Sequence, residues 1–382
     1  MTRPVPPDAD ELPIGRRVAR WRVRRRMTQQ VLADRLGKSK SWVDKVERGV
    51  RSLDRYSTVQ EIAEVLRLDP AVLLDPRRPL PTANAGLDGV DAVRATLARY
   101  HQRPARTVPP DEVHRHVGHA WLSYQHAHYS QLLRALPTLL DAAHARPGPL
   151  VAAYRITASA LVKLGEADLG WLAADRAVAA AVDDPVRAGT ATIVVAQALR
   201  ALGRDRLALT AAVAAIGTAA DDRVRGTLLV QAALAAAGCG DGRRADDLID
   251  HAAALADRLT GDDDPHHTAF GPVAVLLARS LTAQRLGDPA EAVYHHEKAV
   301  GRDDWRRLPV EHRAAHLVDA TRSYLDAGDL AAAGRTLVDA DTIAPAEVRC
   351  RPVARTLVAE IARSGPPAAG VARLAATIGL TR

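Results

Sequence analysis

Aromatic residues make up only 3% of this 382-residue chain, with a single phenylalanine, Phe270. A core must therefore be built from Ala, Leu and Val within the 47% of hydrophobic residues. Two cysteines, Cys239 and Cys350, exclude a disulfide framework and a cysteine metal quartet. No run of about 20 apolar residues is present, which excludes a helical membrane span. The opening MTRPVPPDADELP has no apolar stretch of the secretory type. The expectation is a soluble, cytoplasmic chain with no membrane partner. A phosphate-binding P-loop, a GxGxxG turn after a strand, HExxH and GxSxG are all missing, so neither an enzyme nor a cofactor is expected. Alternating strand patterns of useful length are missing too, and the fold class expected is all-α. The abundance of Arg and Ala reads first as a high-GC coding bias.

What is there begins with charge. The formal net charge is +7. Residues 1–80 hold 18 Lys and Arg against 11 Asp and Glu, and the remainder balances at 34 of each. The whole excess thus lies in the first fifth of the chain. Such asymmetry fits a small nucleic-acid-binding head on a neutral body, or else a basic surface with no partner. Residues 1–13 are rich in Pro and Asp and read as a disordered tail. Residues 14–75 carry short helical patterns. Residues 76–110 read as a linker with a connecting helix at 91–102, because Pro and Gly punctuate both flanks. Residues 111–382 are helical throughout.

In the head, Ile14, Val18 and Trp21 give a first helix one apolar face. Thr28 is a natural N-cap for a second helix that turns Leu32, Ala33 and Leu36 inward, and Gly37 ends it. Ser39 can cap a third helix with Val43 and Val46 inward, stopped by Gly49. A fourth helix buries Val59, Ile62, Ala63 and Leu66, and Pro70 opens a fifth. Five short helices in about 60 residues, with a Gly turn between the second and third, predict a DNA-binding helix-turn-helix.

The stretch MTQQVLADRLGKSKSWVDKVERG resembles the Cro/phage-repressor (xenobiotic-response-element) family. That resemblance covers residues 14–75. It implies that Gln29, which opens the second helix, touches a phosphate, and that the start of the third helix reads bases. The matching positions are Lys40 and Ser41, with Asp44 and Lys45 one turn later. Helical geometry agrees, since 40, 41, 44, 45 and 48 share a face opposite Val43 and Val46. Trp42 either meets a sugar or thymine methyl or packs across the second helix as core. The candidate DNA contacts are therefore Gln29, Ser39, Lys40, Ser41, Trp42, Asp44, Lys45 and Arg48. The family also pairs an Arg of its first helix with a Glu late in its third; Arg22 and Glu47 match. The Arg run from Arg16 to Arg26 is either a solvated face or a source of phosphate contacts.

The body repeats itself. A Gly is followed by Ala five and twelve residues later at Gly203, Gly240, Gly287 and Gly328, and Gly165 has Gly170 and Ala177. A Gly ends one helix in the left-handed conformation, and the small residues let the next helix lie close to its neighbours. Small residues also fall in the middle of each first helix: Ala158, Ala196, Ala233, Ser280 and Thr321. Each unit is then a helix pair that buries its apolar face by stacking on the next. This resembles the tetratricopeptide repeat, with five readable units and a weaker one at about 112–144. The fold expected is a five-helix repressor-like DNA-binding head joined to a tetratricopeptide-like helical-repeat solenoid. GDDDPHH at 261–267 reads as a long loop between units.

Such an array presents a concave face. The usual frame of the repeat lines it with His116, Tyr124, Arg155, Ser159, Gln197, Arg200, Thr227, Arg322 and Asp326. Polar groups with arginines suit a peptide or small-molecule effector; the bland alternative is a wet, empty groove. His312 and His316 stand at i, i+4, but no cysteine or obvious carboxylate completes a metal set, and no metal is expected. Together these features predict a sequence-specific transcriptional regulator. It would be a homodimer through its body, bind near-palindromic double-stranded DNA, and answer to an effector. The alternative is a protein-interaction scaffold whose head binds DNA weakly or not at all.

Overall fold

A computed structural model describes residues 14–25, 27–51, 53, 56–66, 89–99, 108–181, 184–261, 263–364 and 369–380. Among these residues there are 20 α-helices, one 3-10 helix and no strand. The chain separates into two compact units, residues 1–82 and 83–382.

The first unit contains α1 (Ile14–Arg24), α2 (Gln29–Arg35), α3 (Lys40–Glu47) and α4 (Tyr56–Leu66). Two side-chain caps set the starts of its central helices. Thr28 accepts from the Val31 N–H at 3.2 Å, and Ser39 accepts from the Trp42 N–H at 3.1 Å. Each cap satisfies a backbone donor that the helix cannot. Gly37, at φ 62°, makes the turn between α2 and α3. Val18, Leu32, Ala33, Val43, Val59, Ile62, Ala63 and Leu66 form one buried cluster. The fifth helix expected at Pro70 lies outside the described residues, as does the tail at 1–13.

The second unit opens with α5 (Val90–Leu97), shorter than the 91–102 expected, whose Val90, Val93 and Leu97 join the core of the repeats. Six antiparallel pairs follow. They are α6 (Pro110–Gln125) with α7 (Tyr129–Ala143), α8 (Pro147–Lys163) with α9 (Ala167–Ala180), and α10 (Pro185–Ala201) with α11 (Asp205–Ile216). Then come α12 (Asp222–Gly238) with α13 (Gly242–Ala256), α14 (Pro272–Arg285) with α15 (Pro289–Val300), and α16 (Val310–Asp326) with α17 (Leu330–Ile343). Short α18 (Pro345–Arg349), α19 (Pro352–Arg363) and α20 (Ala369–Thr377) close the unit.

The repeat glycines do what the spacing demands. Gly165, Gly203, Gly240, Gly287 and Gly328 all have φ between 67° and 86°, which a side chain would strain. After three of them an Asp caps the next helix: Asp241, Asp288 and Asp329 each accept the N–H three residues on. Ala158, Ala196, Ala233 and Thr321 are fully buried, and Ser280 nearly so. An alanine core lets helices approach closely, and it explains how so few aromatics suffice. The array winds until its ends meet. Tyr129 on α7 donates to Glu347 on α18, 218 residues away. Lys163 on α8 pairs with both Glu311 and Glu347.

Candidate functional site

Helix α3 is held to the head by one buried ion pair. Arg22 Nε lies 2.6 Å from Glu47 Oε1, and Arg22 Nη2 lies 3.0 Å from Oε2. The same guanidinium donates to the Met27 carbonyl at 2.7 Å, tying down the turn between α1 and α2. Hydrogen bonding to Glu47 holds the Arg22 pKa above its ordinary value. Gln29 donates to Glu47 Oε2 at 2.9 Å, so its carboxamide completes this brace. Gly15 was missed by sequence reasoning. A Cβ there would stand 2.0 Å from the Val46 carbonyl oxygen, because α1 crosses α3 at that point.

The face of α3 opposite this brace is open. Lys40, Ser41, Lys45 and Arg48 are exposed, while Val43 and Val46 are buried. Asp44 pairs with Arg48 at 2.6 Å, so one acid and one base of the face neutralise each other. Ser39 spends its hydroxyl on the cap. Trp42 is half-buried against the core, with Arg51 5.9 Å from its ring centroid. The geometry thus brings Lys40, Ser41, Asp44, Lys45 and Arg48 onto one surface. It places Gln29 and Ser39 at the N-terminal ends of α2 and α3 in structural contacts.

In the second unit the inner helices line two recesses that share walls. One is small, about 220 Å³, and apolar on one side through Val230, Leu234, Phe270, Leu277, Leu281 and Leu308. The other is about 600 Å³ and includes Tyr124, Ser159, Lys163, Arg285 and Arg351. Gln197, Arg200, Glu311, His312 and Asp319 belong to both. The structure therefore brings Tyr124, Ser159, Gln197 and Arg200 together, as the repeat frame expects. It does not bring His116 or Arg322 to them. His116 is exposed near the start of α6 and faces Glu112 at 3.9 Å. Arg322 is drawn away by Glu360 of α19, at 3.0 and 2.8 Å. That frame counts positions along one helix and has no knowledge of what covers the last repeat.

Arg155 is engaged by the loop between α13 and α15's partner α14. Its Nη2 donates to the His266 carbonyl at 2.9 Å, and its guanidinium lies 5.3 Å from the Trp121 ring centroid. His267 stacks on the same indole at 4.7 Å. The loop is braced by Asp264, which accepts from Thr268 and from the Ala269 N–H, and by Phe270 packed on Gly226. His267 and Ala269 have φ of 52° and 51°, a conformation that costs side-chain-bearing residues energy. This loop is a strap across the concave side, and Thr268 to Phe270 wall the small recess.

The charges here were also illegible in sequence. Burial pushes the Lys163 ammonium down to about 8, against the pull of Glu347. Burial pushes the Glu347 carboxyl up, but Lys163 and Arg351 prevail and hold it below its usual range. Arg351 reaches Glu347 at 2.8 Å. Burial and the nearby Arg285 push the Arg200 guanidinium down to about 10.

A basic helix-turn-helix head followed by a tetratricopeptide-like helical array defines the class of architecture. Residues 13–75 match the family described as a helix-turn-helix domain. Among solved structures, the chain is similar to a Bacillus thuringiensis PlcR crystallised in complex with the peptide PapR7 and DNA. The identity is 12%, with 86% of this chain and 93% of that one covered, at a TM-score of 0.35. It is also similar to a Rap protein complexed with competence and sporulation factor. There the identity is 11%, with coverage of 95% and 98% and a TM-score of 0.44. No curated protein matches the chain. No helix among the described residues is long and apolar enough to cross a membrane.

Proposed function

We propose that this protein is a sequence-specific transcriptional regulator that binds a near-palindromic operator as a homodimer and answers to an effector in its repeat groove. The observation that carries the reading is the open face of α3. Lys40, Ser41, Lys45 and Arg48 stand exposed on a helix braced by a buried ion pair. A recognition helix must be rigid on one side and bare on the other to enter a major groove. Lys can donate to guanine acceptors there, while Ser is permissive. A single head reads about half a turn of DNA, so tight binding calls for two heads on half-sites about one turn apart. The repeat unit is the expected dimerisation element, since its charges balance. Its groove offers Arg200, Gln197 and Asp319 beside apolar walls, a mixture suited to orienting a small ligand.

The test selects duplexes from a randomised pool with the full-length protein, then repeats binding with fractions of cell extract. The reading expects an enriched inverted repeat, a dimer in sedimentation, and an affinity change of roughly 5- to 150-fold with at least one fraction. A pool with no enriched sequence overturns it and leaves the repeat unit as a docking scaffold.

A further inference from the structure

We infer that the small recess is a binding site for a free, apolar α-amino acid in its zwitterionic form, the carboxylate on Arg200 and Gln197 and the ammonium on Asp319. The inference rests on the groove being the effector site, and it names the ligand class.

Lys163 pairs with Glu311 and Glu347, Arg351 pairs with Glu347, Glu311 Oε2 faces His312 Nδ1 at 2.6 Å, and Arg285 pairs with Asp205 at 3.2 Å. Two charges on the shared wall remain outside these pairs. Asp319 makes no hydrogen bond or ion pair with any described residue. Arg200 has only the neutral Gln231 on Nη2, at 2.9 Å, and its buried Nε has no partner. Gln197, beside it, leaves its carboxamide unused among the described residues. Arg200 and Asp319 line the same recess yet do not reach each other within ion-pair distance.

A charge drawn partly out of water without a hydrogen-bonded counter-charge is costly, and here one of each sign stands half-buried. Burial raises the Asp319 pKa against the pull of Arg351, Lys163 and Arg285, and burial with Arg285 lowers that of Arg200 against the pull of Asp205 and Asp319, so nearby charges offset the burial of each only in part. A net cation or anion would satisfy one and leave the other. A zwitterion satisfies both and leaves the local charge unchanged. The apolar part of the wall decides the side chain: Leu234, Leu277, Leu281 and Phe270 face the recess, opposite a polar part that includes Thr227, Gln231 and His312. Size decides the rest. At about 220 Å³ the recess lies below the roughly 300–1,000 Å³ of sites for drug-sized ligands. The strap residues Thr268 to Phe270 wall it on one side, while Gln197, Arg200 and Asp319 stand where it meets the larger recess.

The experiment is calorimetry of the full chain with L-leucine and L-phenylalanine, beside N-acetyl-L-leucine and L-leucinamide. At least one free amino acid should bind. Blocking either end should weaken it roughly 10- to 100-fold, the range of one lost hydrogen bond to a charge. Asp319→Asn should abolish the preference for the free ammonium, and Arg200→Gln that for the free carboxylate. Circular dichroism of both variants should match the parent protein, so that a lost preference is read on folded chains. Absence of heat with both amino acids at millimolar concentration overturns the assignment, as does equal binding of the blocked forms. If only longer peptides bind, or only an extract fraction alters operator affinity, the assignment falls while the effector reading stands.

Discussion

Lys40 and Lys45 are exposed, and Arg22 is not; that difference separates two kinds of substitution in one small unit. Lys40→Ala or Lys45→Ala removes a donor that no described residue uses. Each should lose about 1–3 kcal/mol of discrimination between operator and a base-changed site, with the melting temperature unchanged. Competition binding on paired duplexes checks this, and unchanged preference in both variants contradicts it. Arg22→Ala acts through stability instead. Among the described residues it leaves the 4%-exposed Glu47 carboxylate with only the Gln29 amide. The loss should be about 3 kcal/mol, read by denaturant unfolding, and an unaltered midpoint would count against the brace. The exposure of Lys40 and Lys45 was legible because helical spacing puts them opposite the inward Val43 and Val46. The brace role of Gln29 was not, since the resemblance assigns that side chain to a phosphate. Lys163, Asp319 and Glu347 were not legible either: their partners lie on other repeats, and no local pattern marks them.

Elements meet through small residues throughout this protein. In the head the meeting is Gly15 of α1 against the backbone of α3. Gly15→Ala would force a Cβ into the Val46 carbonyl, and only movement of a whole helix can relieve it. The variant should lose about 1–3 kcal/mol of stability and bind operator more weakly, because α3 carries the face proposed to read bases. Thermal melting and DNA titration on the same preparation test both halves; a variant as stable as the parent contradicts the close approach. In the repeats the corresponding positions could be read in advance, since a left-handed turn and a buried alanine recur at fixed distances. Gly15 stands outside any repeat, so its requirement appears only once α1 and α3 are placed together. The strap was legible as a loop from its Asp, Pro and His content. Its path to Trp121 and Arg155 was not, because stacking on a helix more than 100 residues earlier leaves no trace in a local pattern.

At the scale of the whole molecule, acid should loosen the repeat unit. His296 Nδ1 and His316 Nε2 lie 3.0 Å apart, both nearly buried, between α15 and α16. Burial pushes His296 down to about 4, with Glu297 opposing, and pushes His316 to about 3, helped by His296. Unfolded, both return to about 6.5. Below that pH the unfolded chain therefore binds more protons than the folded one, and stability falls as pH drops from about 6.5 towards 4. Each histidine contributes roughly 1.4 kcal/mol per pH unit over that window. Denaturant midpoints at pH 7, 6 and 5 should show a steeper decline for the parent than for His296→Gln/His316→Gln, and parallel slopes would contradict this. The six-pair array was readable from sequence, whereas its closure through Tyr129, Lys163 and Glu347 depends on how much curvature six pairs accumulate. On the proposed function the head reads a sequence and not merely charge. Fluorescence anisotropy of the full chain decides it, with the selected operator against a scrambled duplex of equal length and composition at one salt concentration. The account predicts an operator affinity at least about 1,000-fold tighter. Equal affinity for the two duplexes would contradict it.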